Sequence, residues 1–139
     1  MRNLIAVPAA AFAVASCGYG YGPPPPPPPP APYAQAALAE ELAGRVEGPT
    51  LSCVSSRQLR GNRSIGEGVI LFSGQSRNTV YVNRPPAGCP EIRPGRALRT
   101  RTPSTRLCAG DIVQVFDPVQ GFGYGGCSLG YFTEYRRVR

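Results

Sequence analysis

An unbroken run of eight prolines, at residues 23–30, limits where this 139-residue chain can fold. Proline has a fixed φ and lacks a backbone N–H, so the run is excluded from helices and inner strands and is expected in polyproline II. At about 3.1 Å per residue, we predict a semi-rigid spacer roughly 25 Å long. The roughly 90 residues that follow position 50 are long enough for one small domain.

The residues ahead of the proline run have the layout of an export signal. Arg2 provides the positive start, and residues 4–15 form an apolar stretch that is too short to span a bilayer as a helix. The stretch ends in the letters VASC at residues 14–17, which resemble the lipobox of bacterial lipoproteins. The resemblance implies cleavage before Cys17, acylation of that cysteine, and a place in the cell envelope.

A lipid anchor on Cys17 would hold the chain durably at a membrane, because several acyl chains bind far more strongly than one. Gly18 rather than Asp follows the cysteine. By resemblance to enterobacterial sorting, this implies the outer membrane, with the domain facing the periplasm. The alternative is an ordinary secretory signal that is cut elsewhere, in which case Cys17 is incidental.

Beyond the anchor, the chain divides by composition. Leu38, Leu42 and Val46 recur at helical spacing on one face, so we predict a helix over residues 34–46 that docks this face on the domain. A Gly-Pro pair after it ends the helix. The predicted segments are a signal peptide at 1–16, a lipidated Gly/Tyr and polyproline tether at 17–33, a short helix and linker at 34–50, and a globular β domain at 51–139.

From residue 51 onward, short β-prone runs alternate with Gly, Pro and Asn, and we predict a mainly β fold. It is expected to be a small disulfide-stapled antiparallel β barrel or sandwich with one short N-terminal helix. The apolar run at residues 69–72 predicts a buried central strand, whereas alternation over residues 79–83 predicts a strand with one wet face. A proline after Thr102 predicts a helical turn through Leu107. The predicted strands are residues 52–54, 64–73, 79–83, 112–117, 124–127 and 131–135.

The chain has five cysteines, and if Cys17 carries the anchor, four remain for the domain. An even number in an exported chain predicts two disulfides. Of the three possible pairings we favour the nested pair Cys89–Cys108 and Cys53–Cys127, which suits an antiparallel sheet whose ends meet. A zinc site is the alternative use of four cysteines, although no C-x-x-C pair is present.

All 15 basic residues are Arg, and from residue 51 onward 13 of them stand against five acids, a balance of +8. A guanidinium group can bond both oxygens of a phosphate or carboxylate, so this excess favours an anionic partner, with genome base composition and solubility as the alternative explanation. The charge is densest at residues 93–101, where Arg99 and Arg101 would share one face of a strand. We predict an anion-binding surface held between Cys89 and Cys108, or else a solvated polar loop. Its candidate residues are Arg93, Arg96, Arg99, Arg101 and Arg106.

Few residues are available for catalysis. The chain has no His, which excludes Ser-His-Asp, Cys-His and His-ligated metal schemes. The useful acid–base candidates are Asp111, Asp117, Glu67 and Glu134; no motif pairs them, and Asp111 is expected to cap a turn. The glycine-rich stretch 121–126 lacks the lysine and the following helix of a phosphate loop, so we expect a hairpin there. We predict no enzyme, no metal and no cofactor.

The domain contains five short motifs: CVS at 53–55, TVYVNR at 79–84, CP at 89–90, LCAGD at 107–111 and CSLG at 127–130. Together they resemble a family of small exported proteins and lipoproteins of Proteobacteria, sphingomonad-like in this case, with a domain of unknown function. The likeness runs from about residue 42 to the C-terminus, and the four-cysteine framework is its specific part. The resemblance implies no activity or ligand, and the long proline run departs from the family's pattern.

These expectations together predict a lipid-anchored cell-envelope protein of binding or structural type. Its arginine-rich loop would contact an anionic envelope component, either a polymer or an envelope protein, while nucleic acid is not expected outside the cytoplasm. The oligomeric state is left open. The rival hypothesis is an inhibitor of a periplasmic or exogenous hydrolase, a role that small disulfide-bonded β lipoproteins can serve.

Overall fold

The computed structural model describes residue 29, residues 31–66 and residues 68–138. The predicted signal peptide, Cys17, Glu67 and all of the proline run except Pro29 lie outside the described residues. The described ranges contain one α-helix, one turn of 3₁₀ helix at Ser56–Gln58 and ten strands. These are α1 Pro32–Leu42, β1 Arg45–Leu51, β2 Cys53–Ser55, β3 Leu59–Gly66, β4 Val69–Gly74, β5 Thr79–Asn83, β6 Ala97–Arg101, β7 Arg106–Cys108, β8 Ile112–Phe116, β9 Gly123–Ser128 and β10 Phe132–Arg137.

The strands form three antiparallel sheets. The largest has the order β1-β10-β5-β4-β3, a second pairs β2 with β7, and the third has the order β6-β8-β9. The predicted mainly β class with one short N-terminal helix is confirmed. Of the two predicted architectures, the structure shows the sandwich, because the five-stranded sheet ends at β1 and β3 and does not close on itself within the described residues.

Strand β4 is buried on both faces, as its apolar sequence predicts. Ile70 and Phe72 point into a core cluster that all three sheets share. Val69 and Leu71 point to the opposite face, where Leu38 of α1 covers them. The five-stranded sheet therefore has the smaller sheets on one side and the helix on the other.

Because the five-stranded sheet is covered on both sides, the prediction that β5 has one solvent-exposed face is wrong. Its bounds are those predicted, but the face expected to be wet is buried, because Tyr81 and Asn83 lie under the smaller sheets. Val80 and Val82 pack under α1 on the other face. Period-two alternation shows that a strand has two different faces, and it does not show that the more polar one meets water.

The predicted helix is confirmed, but its end is wrong. It stops at Leu42, and Gly44, with φ at +69°, turns the chain into β1. Leu38 and Leu42 pack on the domain as predicted. Val46 instead lies on β1, opposite Arg136 of β10, and is 57% exposed. The predicted linker up to residue 50 is therefore part of the sheet.

The single strand predicted over residues 64–73 is two strands. β3 ends at Gly66 and β4 begins at Val69, and positive φ angles at Gly66 and Gly68 make the turn between them. A Cβ at Gly66 would lie 2.6 Å from the Cβ of Ala34, so this glycine also leaves room for the first turn of α1.

The helical turn predicted from Thr102 to Leu107 is a bend followed by β7. The hydroxyls of Thr102 and Ser104 each donate to the carbonyl oxygen of Arg106 at 2.8 Å. These bonds stabilise the bend, and Leu107 is then buried as a strand residue opposite Val54.

Two disulfides are present as predicted, but the favoured pairing is wrong. Cys53 on β2 bonds to Cys108, its cross-strand neighbour on β7, with 4.0 Å between Cα atoms, and Cys89 bonds to Cys127 on β9. The nested pairing is ruled out by the β2–β7 pair, which places Cys53 directly opposite Cys108. Because all four sulfur atoms are in disulfides, none is a thiolate for zinc. The arginine-rich segment is not closed by a Cys89–Cys108 bond.

Candidate anion-binding face

The five candidate arginines do not form one patch. Arg99 and Arg101 lie on β6, whereas Arg93 and Arg96 precede that strand in a loop. Arg106 lies on β7, which belongs to a different sheet. The structure therefore brings Arg99 and Arg101 together and places Arg106 apart from them.

Arg96 is already bound to its neighbours. One terminal nitrogen donates to the Glu91 carbonyl oxygen at 2.8 Å and to the Glu91 carboxylate at 2.7 Å. The guanidinium carbon also lies 3.7 Å from the centroid of the Tyr124 ring, a cation–π contact. Arg93 donates from Nε to the carbonyl oxygen of Pro90 at 3.3 Å. Arg96 thus joins its loop to β9 and is not a free receptor for an anion.

The remaining two arginines stand on the outer face of the three-stranded sheet. Alternation along β8 sends Val113 and Val115 into the core, so the residues between and beside them point outward. Strand register then arranges the outward residues in three rows across β6, β8 and β9. The rows are Arg101–Ile112–Ser128, Arg99–Gln114–Gly126 and Ala97–Phe116–Gly123.

A groove of about 700 Å³ lies on this face. Arg99, Gln114 and Phe116 border it on one side, and β9 contributes only glycines on the other. A Cβ added at Gly123 would meet no atom within 4 Å, which shows that the space above this end of β9 is open. The groove exists because β9 has glycines opposite the large side chains of Gln114 and Phe116 on β8.

The face carries positive charge that is not neutralised. Arg99 and Arg101 are exposed, and in the part of the chain that the structure describes no carboxylate pairs with either. The guanidinium carbon of Arg99 lies 4.8 Å from the centroid of the Phe116 ring, which orients it beside the groove. An incoming anion can therefore bond to these groups without first breaking an ion pair.

An ordered turn stands at one end of the groove. Asp117 accepts backbone N–H bonds from Gln120 at 2.9 Å and Val119 at 2.8 Å, which stabilise its charged form and hold the pKa of its carboxyl below the usual 3.8. The Asp117 N–H in turn donates to the Phe122 carbonyl oxygen at 2.7 Å. The turn holds two apolar side chains out in solvent, since Val119 is 91% and Phe122 is 61% exposed.

Sequence analysis does not identify Ile112, Gln114 and Phe116 as part of this face. The available signal is the alternation in residues 112–116, because valines at the two inner positions leave these three on the other side. The hairpin predicted for the glycine-rich stretch 121–126 is confirmed: residues 121 and 122 end the turn after β8, and residues 123–126 lie on β9, which pairs with β8. The groove above it depends on the register of three strands, which a single segment does not reveal.

Of the four predicted acid–base candidates, Glu67 lies outside the described residues, and the other three are bonded to groups of the fold. Asp111 accepts the Cys108 N–H at 2.8 Å, which confirms the predicted turn cap. Glu134 is buried and forms an ion pair with Arg136. Within residues 31–66 and 68–138, no three side chains of the metal-ligating types Cys, His, Asp and Glu group closely enough to hold a metal ion. In the same ranges, no helix has the length and apolar character needed to cross a membrane.

Comparison with known proteins yields no relative: no protein-family model, no curated protein and no solved structure matches this chain. The family resemblance in the cysteine framework stays a prediction. The arrangement of residues on the outer face is therefore the basis for assigning a function.

Proposed function

We propose that this chain is a lipid-anchored cell-envelope protein of binding type, which contacts an anionic envelope component through Arg99 and Arg101. One observation carries the proposal: two exposed guanidinium groups project from the same face of β6 without a carboxylate partner among the described residues, and one of them, Arg99, borders an open groove. The five-arginine loop expected from sequence is thereby reduced to a two-arginine face.

The spacing of the two arginines suits a repeating anion. Side chains two residues apart on a strand lie on one face, about 6.6 Å apart along it. Each guanidinium can bond a carboxylate or phosphate through two N–H groups. Two successive charged groups of a polymer would match this spacing, whereas the loop arginine Arg96 is already held by Glu91 and Tyr124.

The anchor is supported by the export signal and by the disulfides. The lipobox-like residues 14–17 precede a proline tether, and two disulfides suit an oxidising compartment outside the cytoplasm. A tether of about 25 Å would keep the domain near its membrane and raise its effective concentration there, so that a weak anion contact suffices.

Co-purification from gently solubilised envelopes tests the proposal. The tagged full chain is compared with the variant Arg99→Gln/Arg101→Gln and with the control Arg57→Gln/Arg77→Gln, which removes the same charge from two exposed arginines elsewhere. We expect wild type and control to retain an anionic glycan, lipid or protein at low salt and to release it at high salt, because screening weakens exposed charge contacts. Equal retention by the Arg99/Arg101 variant would contradict the proposed face.

The anchor needs its own experiment. Cells expressing the full chain are fed an alkyne-labelled fatty acid, and the label is detected on the purified protein. We expect label on wild type and none on Cys17→Ala, whereas label absent from both would assign an ordinary secretory signal.

The hydrolase-inhibitor alternative has one observation in its favour. The turn at residues 117–122 is ordered by backbone bonds and presents Val119 and Phe122 outward, as a loop that enters a cleft would. Inhibition of a panel of cell-wall hydrolases and proteases would separate the two functions. An inhibitor loses its effect in Val119→Ser/Phe122→Ser, keeps it in Arg99→Gln/Arg101→Gln, and resists salt.

A further inference from the structure

We propose that the groove on the outer face of the three-stranded sheet binds an acidic sugar unit, with the sugar ring against Phe116 and its carboxylate or phosphate on Arg99. This inference rests on the proposed function and specifies the ligand of the same face. It adds a neutral, ring-shaped component to the anion that the arginines bind.

The groove has the size and the walls of a small-molecule site. Its volume of about 700 Å³ falls within the range of about 300–1,000 Å³ that is usual for such sites. Its lining includes one cation, one amide and one aromatic ring, from Arg99, Gln114 and Phe116, and the rest of the lining is aliphatic residues and glycines. A few polar groups beside apolar surface is the arrangement that fixes the orientation of a small ligand.

Each lining side chain matches one part of a sugar. The apolar C–H face of a pyranose ring packs on an aromatic ring, and Phe116 is half-buried at the groove, with the Arg99 guanidinium carbon 4.8 Å from its ring centroid. The Gln114 amide offers both donors and an acceptor to ring hydroxyls. Arg99 can bond an acidic substituent bidentately.

The glycines of β9 give the ring access. β9 is an edge strand of its sheet, and Gly123 and Gly126 are the residues that stand in the outward rows opposite Phe116 and Gln114. A side chain at either position would stand in the space that a ring needs. Gly126 is also required by packing, because a Cβ there would lie 2.8 Å from the Val113 carbonyl oxygen, whereas Gly123 has no such neighbour.

The charge on this face decides between acidic and neutral sugars. Arg99 and Arg101 contribute two positive charges, and the outward rows contain no acid. A neutral sugar would leave these charges uncompensated, whereas an acidic one gains a charge-assisted bond. A flat anionic bilayer would reach the arginines but would not enter the groove.

The test fills the groove without disturbing the fold. Gly123→Val places a β-branched side chain in open space, and its matched control is Gly61→Val, on β3, where an added Cβ also meets no atom within 4 Å. Neither glycine has a positive φ, so neither substitution strains the backbone. Arg99→Gln and its control Arg57→Gln test the charge in the same way.

Binding is measured by isothermal calorimetry with the full chain in non-ionic detergent. The probes are trigalacturonate, a phosphorylated glucosamine disaccharide, neutral chitotriose, and polyglutamate as an anion without sugar rings. We expect at least one acidic sugar to bind wild type and Gly61→Val about tenfold or more tightly than it binds Gly123→Val or Arg99→Gln. Chitotriose is expected to bind at least tenfold more weakly than the acidic sugar, and the carboxylated and phosphorylated probes separate the two sources of the charge.

The outcomes separate this inference from the proposed function. Binding of polyglutamate without preference for either acidic sugar would overturn the inference and leave the proposed function standing. Equal loss of sugar binding in Gly123→Val and Gly61→Val would also overturn it. So would binding to phosphatidylglycerol, added as mixed micelles with the same detergent, that Gly123→Val leaves unchanged while the sugars fail to bind. If no anionic probe binds, both proposals fail.

Discussion

The side-chain amide of Asn83 is bonded to both backbone groups of Gly130. Its Nδ2 donates to the Gly130 carbonyl oxygen at 2.7 Å, and its Oδ1 accepts the Gly130 N–H at 3.0 Å. Asn83 is fully buried on β5, and Gly130 lies in the connection between β9 and β10. One amide therefore ties the segment that leaves the three-stranded sheet to the centre of the five-stranded sheet.

Replacement of this amide should be among the most destabilising single changes. Asn83→Ala leaves two buried backbone groups without partners, and we expect it to lower the free energy of unfolding by about 3 kcal/mol. Urea unfolding followed by tyrosine fluorescence measures the change, with Asn78→Ala, at an exposed turn residue, expected within about 0.5 kcal/mol of wild type. Similar stabilities for the two variants would show that the Asn83 bonds do not hold the sheets together.

The cysteine pairing can be read by peptide mapping. Trypsin with an Asp-specific protease puts each cysteine in a separate peptide, since cleavage at Asp111 and Asp117 separates Cys108 from Cys127. We expect peptides linked as Cys53–Cys108 and Cys89–Cys127 under non-reducing conditions. The detection of a Cys89–Cys108 peptide instead would support the nested arrangement.

Loss of either disulfide should also lower the free energy of unfolding. The bonds join residues 55 and 38 positions apart, so loop closure in the unfolded chain predicts about 4 kcal/mol for each. The variant Cys53→Ala/Cys108→Ala removes one bond cleanly and leaves the other intact. Thermal unfolding of this double variant, beside Cys89→Ala/Cys127→Ala, checks the expected size of the loss.

Substitution of Arg96 should mainly lower stability, whereas substitution of Arg99 should mainly weaken anion binding. Arg96→Gln loses the ion pair with Glu91 and the contact with Tyr124, and because these groups are partly exposed we expect a loss of about 1–2 kcal/mol in stability. Anion binding should survive. Arg99→Gln should show the reverse, near-normal stability with weakened binding, and thermal unfolding together with calorimetry measures both properties in the same samples.

The turn at residues 117–122 should loosen in acid. Bonds from Gln120 and Val119 lower the pKa of Asp117 in the folded chain, so its contribution to stability is complete above the unfolded value of about 3.8 and is lost as pH falls through the lower folded value. Carboxyl NMR titration should give Asp117 a pKa below 3.8. Asp117→Asn should reduce the loss of stability in acid, whereas the control Glu40→Gln, at an exposed position of α1, should not. A pKa of 3.8 or above for Asp117 would contradict the hydrogen bonds that order this turn.

Helix α1 should unfold together with the β domain. Leu38 is buried against Val69, Leu71, Val80 and Val82, and its truncation in Leu38→Ala should cost about 2–3 kcal/mol. Amide exchange over residues 32–42 should then approach that of the core strands in wild type and accelerate in the variant. The control Ala39→Gln, at an exposed helix position, is expected to change neither property.

Features that depend on near neighbours in the chain are readable from sequence. The bounds of β5 are those predicted, the run at residues 69–72 is the buried strand, and Leu38 and Leu42 dock the helix. Apolar periodicity and glycine or proline breaks determine such features, because they are properties of a few consecutive residues. The mainly β class follows from the same local signals.

Features that depend on which strands are neighbours come from the tertiary structure alone. The cysteine pairing, the burial of Tyr81 and the separation of Arg96 from Arg99 each follow from sheet order and register, which join residues far apart in the chain. The groove depends on the same relationship, since it forms only where the glycines of β9 meet the side chains of Gln114 and Phe116 across the sheet. Local propensity does not predict these pairings. Each strand's own sequence determines which of its faces is apolar, but which strands become neighbours depends on segments that are far apart in the chain.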